Sequence, residues 1–331
     1  GLRRLRFLSK SPDGRLFATD MYNLDDNKKG KVYVFEGWDA TAKRFARIVT
    51  FADNLHNPNQ VTFYNDGGKD YIYIAETDKL SRYEYKAGDM QLNGQGQVLA
   101  TFPDYGLSYK YGGWHLTRSL AFNKGKLYVS VGSSCNACIE KEPIRASIVE
   151  MNPDGSDQQP FASGLRNSVG MKWVDNQLWV TSMGRDLIGP DKPEDLFQAV
   201  LKGRFYGWPY YVQYKGVLYP DPQMHDSAKR QKIKIPAKPV PAWCGFKAHS
   251  APLGLDYMRG FDDPLLAGSF LVALHGSTSV WRQRGNSIVK IVGKDKYVDI
   301  VNGFLEGKED KDRKGRPCDV MMNDSRSFFF T

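Results

Sequence analysis

One unit recurs six times along this chain: a short apolar stretch, a turn built on Asp, Asn or Gly, and a second apolar stretch. The first three are Leu5-Arg6-Phe7-Leu8 with Leu16-Phe17-Ala18-Thr19, Val61-Thr62-Phe63 with Tyr71-Ile72-Tyr73-Ile74, and Leu120-Ala121-Phe122 with Leu127-Tyr128-Val129-Ser130. The fourth pairs Val169-Gly170-Met171-Lys172-Trp173 with Leu178-Trp179-Val180-Thr181. The fifth pairs Leu253-Gly254-Leu255-Asp256-Tyr257 with Ser269-Phe270-Leu271-Val272-Ala273, and the sixth Asp319-Val320-Met321-Met322 with Ser327-Phe328-Phe329-Phe330. Asp, Asn and Gly dominate the turns because tight hairpins need positive φ, which costs these residues least. Most units are followed by a third strand-like segment, such as Lys31-Val32-Tyr33-Val34-Phe35, Ser147-Ile148-Val149-Glu150-Met151 or Ser287-Ile288-Val289-Lys290-Ile291. Units repeated every roughly 50–80 residues, one per blade, predict an all-β chain folded as a six-bladed β-propeller. A two-sheet sandwich does not account for the repeated strand–turn–strand order. The expectation is a single domain over residues 1–331, with a long insertion around 186–251 where Pro, Gly and aromatics replace periodicity. Such a long loop within a domain is usually functional, so it is expected to wall a site. Within it, Asp195 to Lys202 reads as a short helical turn.

Composition narrows the function classes. The 13% aromatic content with frequent Gly and Pro suits short strands and turns. The formal charge of +9 favours anionic partners. Lys and Arg are spread along the chain, and the densest run, Glu306 to Arg316, mixes both signs and reads as a solvated loop. No nucleic-acid motif accompanies it, so no nucleic-acid partner is expected. No apolar run of about twenty residues occurs, so no membrane span is expected. The opening Gly1-Leu2-Arg3-Arg4-Leu5 already reads as strand, which suggests a mature or trimmed start. Dinucleotide and P-loop glycine fingerprints, the G-x-S-x-G elbow and H-E-x-x-H are all missing from the sequence.

Cys135 and Cys138 form a C-x-x-C without a following His or a second close pair, which argues against haem attachment and a four-thiolate zinc site. The pair reads as a local disulfide, which would imply an oxidising compartment, or as two loop thiols. Spacing gives no pairing for Cys244 and Cys318.

Polar residues stand just before the first strand of several units: His115 in Trp114-His115-Leu116-Thr117-Arg118-Ser119-Leu120, Arg166 with Asn167, His249, and Arg316. Taken singly, each is equally a loop residue or a satisfied core group. Their matching phase points to one end of a channel, where arginines and histidines suit a small polyanion.

These residues carry a family resemblance. Arg118-Ser119-Leu120-Ala121-Phe122, Leu127 to Asn136, Asn152-Pro153-Asp154-Gly155 and Phe161 to Asn167 resemble the glucose/sorbosone dehydrogenase family. The likeness continues in Met183-Gly184-Arg185-Asp186, Tyr206-Gly207-Trp208-Pro209, His249 to Gly254, Ala273 to Ser277 and Gly315-Arg316-Pro317. It covers most of the chain from Pro58 onward and is nearer the sorbosone dehydrogenase-like branch.

The resemblance implies a six-bladed propeller that binds pyrroloquinoline quinone (PQQ) with calcium and oxidises a sugar or sugar-derived aldehyde by hydride transfer. It implies an external electron acceptor and a periplasmic or secreted location. By position, His115 corresponds to the catalytic base, and Arg166 and Asn167 to the pair that holds the quinone. The backbone carbonyls of Gly184 and Arg185 correspond to calcium ligands, and Arg316 to an arginine on a cofactor carboxylate. His275 falls near a cofactor-contacting lysine, and Lys247 and His249 line the substrate side of the cofactor pocket. The chemistry agrees: arginine forks suit the quinone's carboxylates, calcium takes oxygen ligands, and a neutral imidazole can accept a hydroxyl proton.

Three positions depart from the pattern. Ser133 stands where an acidic residue supports the histidine in the glucose branch, Cys318 where that branch has a second cofactor arginine, and Pro58-Asn59-Gln60 where sorbosone-like sequences often show Pro-His-Gly. Two other functions compete: a lactonase-like metal-dependent hydrolase, which needs carboxylates around a channel metal, and a cofactor-free carbohydrate-binding propeller.

Overall fold

Two-residue turns with both residues at positive φ join the leading strands of three sheets. They are Gly67-Gly68 (φ 60° and 86°), Lys124-Gly125 (46° and 73°) and Asp175-Asn176 (49° and 63°). A turn of this hand matches the twist of the strands it joins, so each fixes a tight antiparallel hairpin. The protein is described by a computed structural model covering residues 2–104, 115–277 and 284–331.

Five sheets of four or five strands are found among the described residues. The first runs β1 (Leu5–Lys10), β2 (Leu16–Asp20), β3 (Gly30–Asp39), β4 (Arg44–Leu55) in sequence order, and the second β5 (Gln60–Asp66), β6 (Lys69–Ala75), β7 (Lys79–Glu84), β8 (Gln97–Thr101). The third comprises β9 (Arg118–Asn123), β10 (Lys126–Val131), β11 (Ser147–Met151) and β12 (Gln159–Ser163). In the fourth, β13 (Ser168–Val174), β14 (Gln177–Ser182) and β15 (Asp195–Val200) are followed by β16 (Arg204–Phe205), which adds in parallel to β12 of the third sheet. A separate hairpin, β17 (Tyr211–Tyr214) with β18 (Val217–Pro220), leads into helix α1 (Pro222–Arg230). Strand β19 (Cys244–Phe246) then completes the fourth sheet beside β15. The fifth sheet is β20 (Pro252–Tyr257), β21 (Phe270–Leu274), β22 (Ser287–Gly293), β23 (Lys296–Val301), and the chain ends in a hairpin of β24 (Val320–Asp324) and β25 (Ser327–Phe330).

The six-bladed count is therefore corrected to five blades among the described residues. The recurrence counts strand–turn–strand units, whereas a blade also needs the outer strands that pair onto them. The sixth unit is a two-stranded hairpin onto which no further strand pairs among the described residues. The helical turn expected over Asp195 to Lys202 is also corrected. Residues Asp195–Val200 are strand β15, paired in register with β14 (Thr181 opposite Phe197) and burying Asp195, Phe197, Gln198 and Val200. The one α-helix among the described residues lies further on, at Pro222–Arg230, where Asp221 caps its first turn by accepting from Met224 N.

The chain divides into two compact units, residues 1–129, 150–159 and 331, and residues 130–149 and 160–330. In unit 1, Phe17, Val34, Phe51, Val61, Ile72 and Ile74 form one buried cluster. Phe17 meets Phe51 and Phe63 edge-on, each at 5.0 Å between ring centroids. Burial of each such side chain is worth about 1.5–3 kcal/mol. In unit 2, Phe197, Phe246, Leu255, Val272, Leu274 and Val289 form the corresponding cluster, and Trp179 stacks on Phe197 at 4.9 Å. Central strands such as β2 are buried along their whole length, as strands covered on both faces must be.

Candidate active site

The loops that leave the strands of the fourth and fifth blades bring six of the sequence-derived site residues to one pocket in unit 2. Its volume is about 260 Å³, and Arg166, Gly184, Arg185, His249, His275 and Arg316 line it with Asp186 and Asp195. Arg166 precedes β13, Gly184 and Arg185 follow β14, His249 precedes β20 and His275 follows β21. The insertion contributes Asp186, Pro193, Asp195, His249 and Ala251 to the wall.

Arg166 is buried, and its guanidinium is held on three sides. Nε donates to the Asn136 carbonyl at 2.9 Å, Nη2 to Asn136 Oδ1 at 3.0 Å, and Nη1 to the Gly184 carbonyl at 2.9 Å. Burial pulls its pKa down to about 10, partly offset by Asp186 and Asp195. Asn136 is itself fixed: Oδ1 accepts from Asp186 N at 2.7 Å, Nδ2 donates to Asp186 O, and its carbonyl also accepts from Trp208 Nε1. Cys135 and Cys138 are joined in a disulfide that brackets this asparagine. The disulfide loop is thus the cradle of the arginine.

Asp195 was missed by sequence reasoning because it falls in the stretch read as helical. It is fully buried, and burial pushes its carboxyl up to about 6, against two backbone donors: Gly184 N to Oδ1 and Ala251 N to Oδ2, both at 2.8 Å. These bonds tie the loop after β14 to the loop before β20. Gly184 has no room for a side chain, since a Cβ there would stand 2.7 Å from the Glu194 carbonyl.

The two pocket histidines differ in what their nitrogens face. His249 Nε2 lies 3.1 Å from the Gly189 carbonyl and Nδ1 lies 3.3 Å from Asp186 Oδ1, so both nitrogens face acceptors. His275 Nδ1 lies 3.0 Å from the Pro317 carbonyl, so Nδ1 carries a proton and donates it there. Arg316 donates from Nε to the His275 carbonyl and from Nη2 to the Gly276 carbonyl. The Arg185 side chain turns away to Asp221 Oδ2 at 2.7 Å and Gln223 Oε1 at 3.0 Å, so only its backbone serves the pocket.

Asn167, Lys247 and His115 are not among the residues lining this pocket. Asn167 is buried, with Nδ2 against Met183 Sδ at 3.6 Å. Lys247 is exposed and caps the turn that ends at Ser250 through its carbonyl. His115 belongs to unit 1, where it is half-buried at φ 50° and its carbonyl accepts from Arg118 Nη1 at 2.9 Å. Its neighbour Trp114 lies outside the described residues. Ser133 donates to the Cys135 carbonyl, and Cys244 and Cys318 are buried and form no disulfide.

Fold and pocket together define an all-β propeller protein with a cationic, oxygen-lined cavity on its strand-end loops. The family profile described as Glucose / Sorbosone dehydrogenase matches residues 65–299, and the chain belongs to that family. An uncharacterized protein of Borreliella burgdorferi is 25% identical over 335 residues, covering 93% of this chain and 82% of that protein. Among solved structures, the holo form of the pyranose dehydrogenase PQQ domain from Coprinopsis cinerea aligns with TM-score 0.75 at 16% identity, covering 100% of this chain and 90% of that one. The calcium structure of a Trichoderma reesei carbohydrate-active enzyme aligns with TM-score 0.76 at 17% identity, covering 100% and 90%. At these identities the likeness is one of fold, and the fold is the β-propeller.

Proposed function

We propose that this protein is a sugar dehydrogenase that takes PQQ and calcium in the unit 2 pocket. One observation carries the reading: two guanidiniums and two imidazoles, from four separate loops, converge on a single cavity of about 260 Å³. Two guanidiniums gathered with two imidazoles in one concave site suit a compact polyanion better than a neutral metabolite. The residues fit the group. Arg316, Arg166 with Asn167, and His275 would hold it, with Lys247 and His249 on the substrate side. The Gly184 and Arg185 carbonyls would hold calcium. Gly184 O already accepts from Arg166 Nη1, but a carbonyl has two lone pairs, so a cation can share it.

When bound, the quinone with its calcium supplies the hydride acceptor. The protein's part is to orient the sugar and move one proton. On the family resemblance, His115 accepts the hydroxyl proton at an imidazole nitrogen, assistance typically worth about 10²–10⁴-fold. His275, which lines the pocket, is a second candidate for the same proton. The Cys135–Cys138 disulfide supports a periplasmic or secreted location. No helix among the described residues is long and apolar enough to cross a membrane. The electron acceptor would be external.

The test is dye reduction by the purified protein with aldoses, with PQQ and calcium both present and each omitted in turn. Turnover that requires both supports the reading. Sugar binding without turnover under any of these conditions favours the carbohydrate-binding propeller instead.

A further inference from the structure

A second cluster of ligand-type side chains lies in unit 1 and has no part in the pocket. His56 directly follows β4, Asp78 sits in the turn between β6 and β7, and Asp104 follows β8. One ligand atom from each lies within 4.8 Å of the others. His56 is buried, with 7% of its side chain exposed. Its backbone is locked by Glu76 Oε2, which accepts from His56 N at 2.7 Å, and by Thr77 N, which donates to the His56 carbonyl at 3.0 Å. Phe102 N donates to the Asp78 carbonyl at 2.7 Å and brings the Asp104 segment alongside.

The two ring nitrogens of His56 are treated differently. Nε2 contacts Asp26 Oδ1. Nδ1 faces Asp78 Oδ1 at 3.1 Å, yet both atoms are buried without a hydrogen-bond partner. A ring that donates from Nε2 to Asp26 carries a lone pair on Nδ1, and that lone pair then faces a carboxylate oxygen. Such a pair of acceptors repels unless a cation lies between them. Two ligands on one ion at about 2.0–2.2 Å stand about 2.8–3.6 Å apart between octahedral and tetrahedral angles, and the 3.1 Å separation seen here falls within that range. Asp26 has the place of the outer carboxylate that orients a metal-bound imidazole and fixes its tautomer.

We propose that His56 Nδ1, Asp78 and Asp104 bind a divalent first-row transition ion that pins together the three unit 1 segments carrying them. One imidazole with two carboxylates suits zinc, manganese or cobalt, whereas calcium prefers an all-oxygen set. The other ligand-type cluster, Cys135, Cys138 and Glu140, has its sulfurs joined in a disulfide and offers no thiolate. The proposal does not rest on the quinone reading.

The test is a zinc titration of the chelator-stripped full chain, followed by calorimetry and melting temperature, with cobalt as a spectroscopic probe. The wild type should take up one more zinc equivalent than Asp104→Asn, whose substitution is at an exposed position, and should melt higher with zinc present. Asp26→Asn should weaken that equivalent by about 10–100-fold. Cobalt should give a ligand-field band that His56→Gln loses, and calcium should not compete. All three variants keep His249 and His275, so any zinc held in the pocket cancels in the comparison. Equal zinc uptake by wild type and Asp104→Asn, or no uptake by either, overturns the proposal. In that case an imidazolium held between aspartates remains the account of the cluster.

Discussion

Arg166 Nε and Nη2 grip Asn136 by its carbonyl at 2.9 Å and its side-chain oxygen at 3.0 Å, in a fork that a three-residue-spaced disulfide encloses. A buried guanidinium needs its donors met, so this single asparagine sets where the positive charge stands in the pocket. Asn136→Ala should therefore cost about 1–3 kcal/mol by leaving buried donors unmet. The urea midpoint should fall accordingly, and quinone affinity should fall with it.

Removal of the disulfide separates stability from site geometry. The loop closed by Cys135 and Cys138 is very short, so the double Cys→Ser change should cost about 2 kcal/mol or less in stability. The same variant should bind PQQ more weakly than its melting temperature alone accounts for, because Asn136 loses its frame. Unchanged binding would show that the loop holds its shape without the bond.

The buried Asp195 gives the fold a pH signature. Its carboxyl is raised to about 6 in the folded chain, from an unfolded value of about 3.9. The folded state therefore holds this proton more tightly, so the contribution favours folding at low pH and is lost as pH rises from about 4 to 6. The difference in stability between wild type and Asp195→Asn should shift by about 3 kcal/mol against the wild type across that window. Urea midpoints at matched pH values measure it. A constant difference from pH 4 to 7 would contradict the assignment.

Much of this was legible in the sequence, for reasons that are local. Hairpins such as Asn123-Lys124-Gly125 announce themselves through residues that tolerate positive φ, and β3, β11 and β22 through apolar alternation. Of the residues that stand before their strands, His115, Arg166 with Asn167, His249 and Arg316, the unit 2 pocket collects Arg166, His249 and Arg316. What failed was non-local. Leu196-Phe197-Gln198-Ala199-Val200 reads equally well as a helical turn until its pairing with β14 is known. The blade count failed because a strand–turn–strand unit does not by itself say whether outer strands will pair onto it. Asp195 and Asn136 carry no motif of their own, and their roles come from backbone donors and an arginine that the fold brings to them. Asn136 did have one signal: it sits inside the C-x-x-C.

Proton transfer is tested by comparing two histidines. In protein loaded with PQQ and calcium, His115→Ala should lower kcat by about 10²–10⁴-fold while cofactor binding is retained. If His275→Ala causes that loss and His115→Ala does not, the base is the histidine that lines the pocket.

The most direct test of the central claim is a titration of the calcium-loaded full chain with PQQ, read by the absorbance of the bound quinone, for wild type and Arg316→Ala. The account predicts saturable uptake of one quinone per chain and a loss of about 2–5 kcal/mol in binding free energy when the guanidinium at the pocket wall is removed. A wild-type chain that takes up no quinone, or an Arg316→Ala chain that binds it as tightly as the wild type, would contradict it.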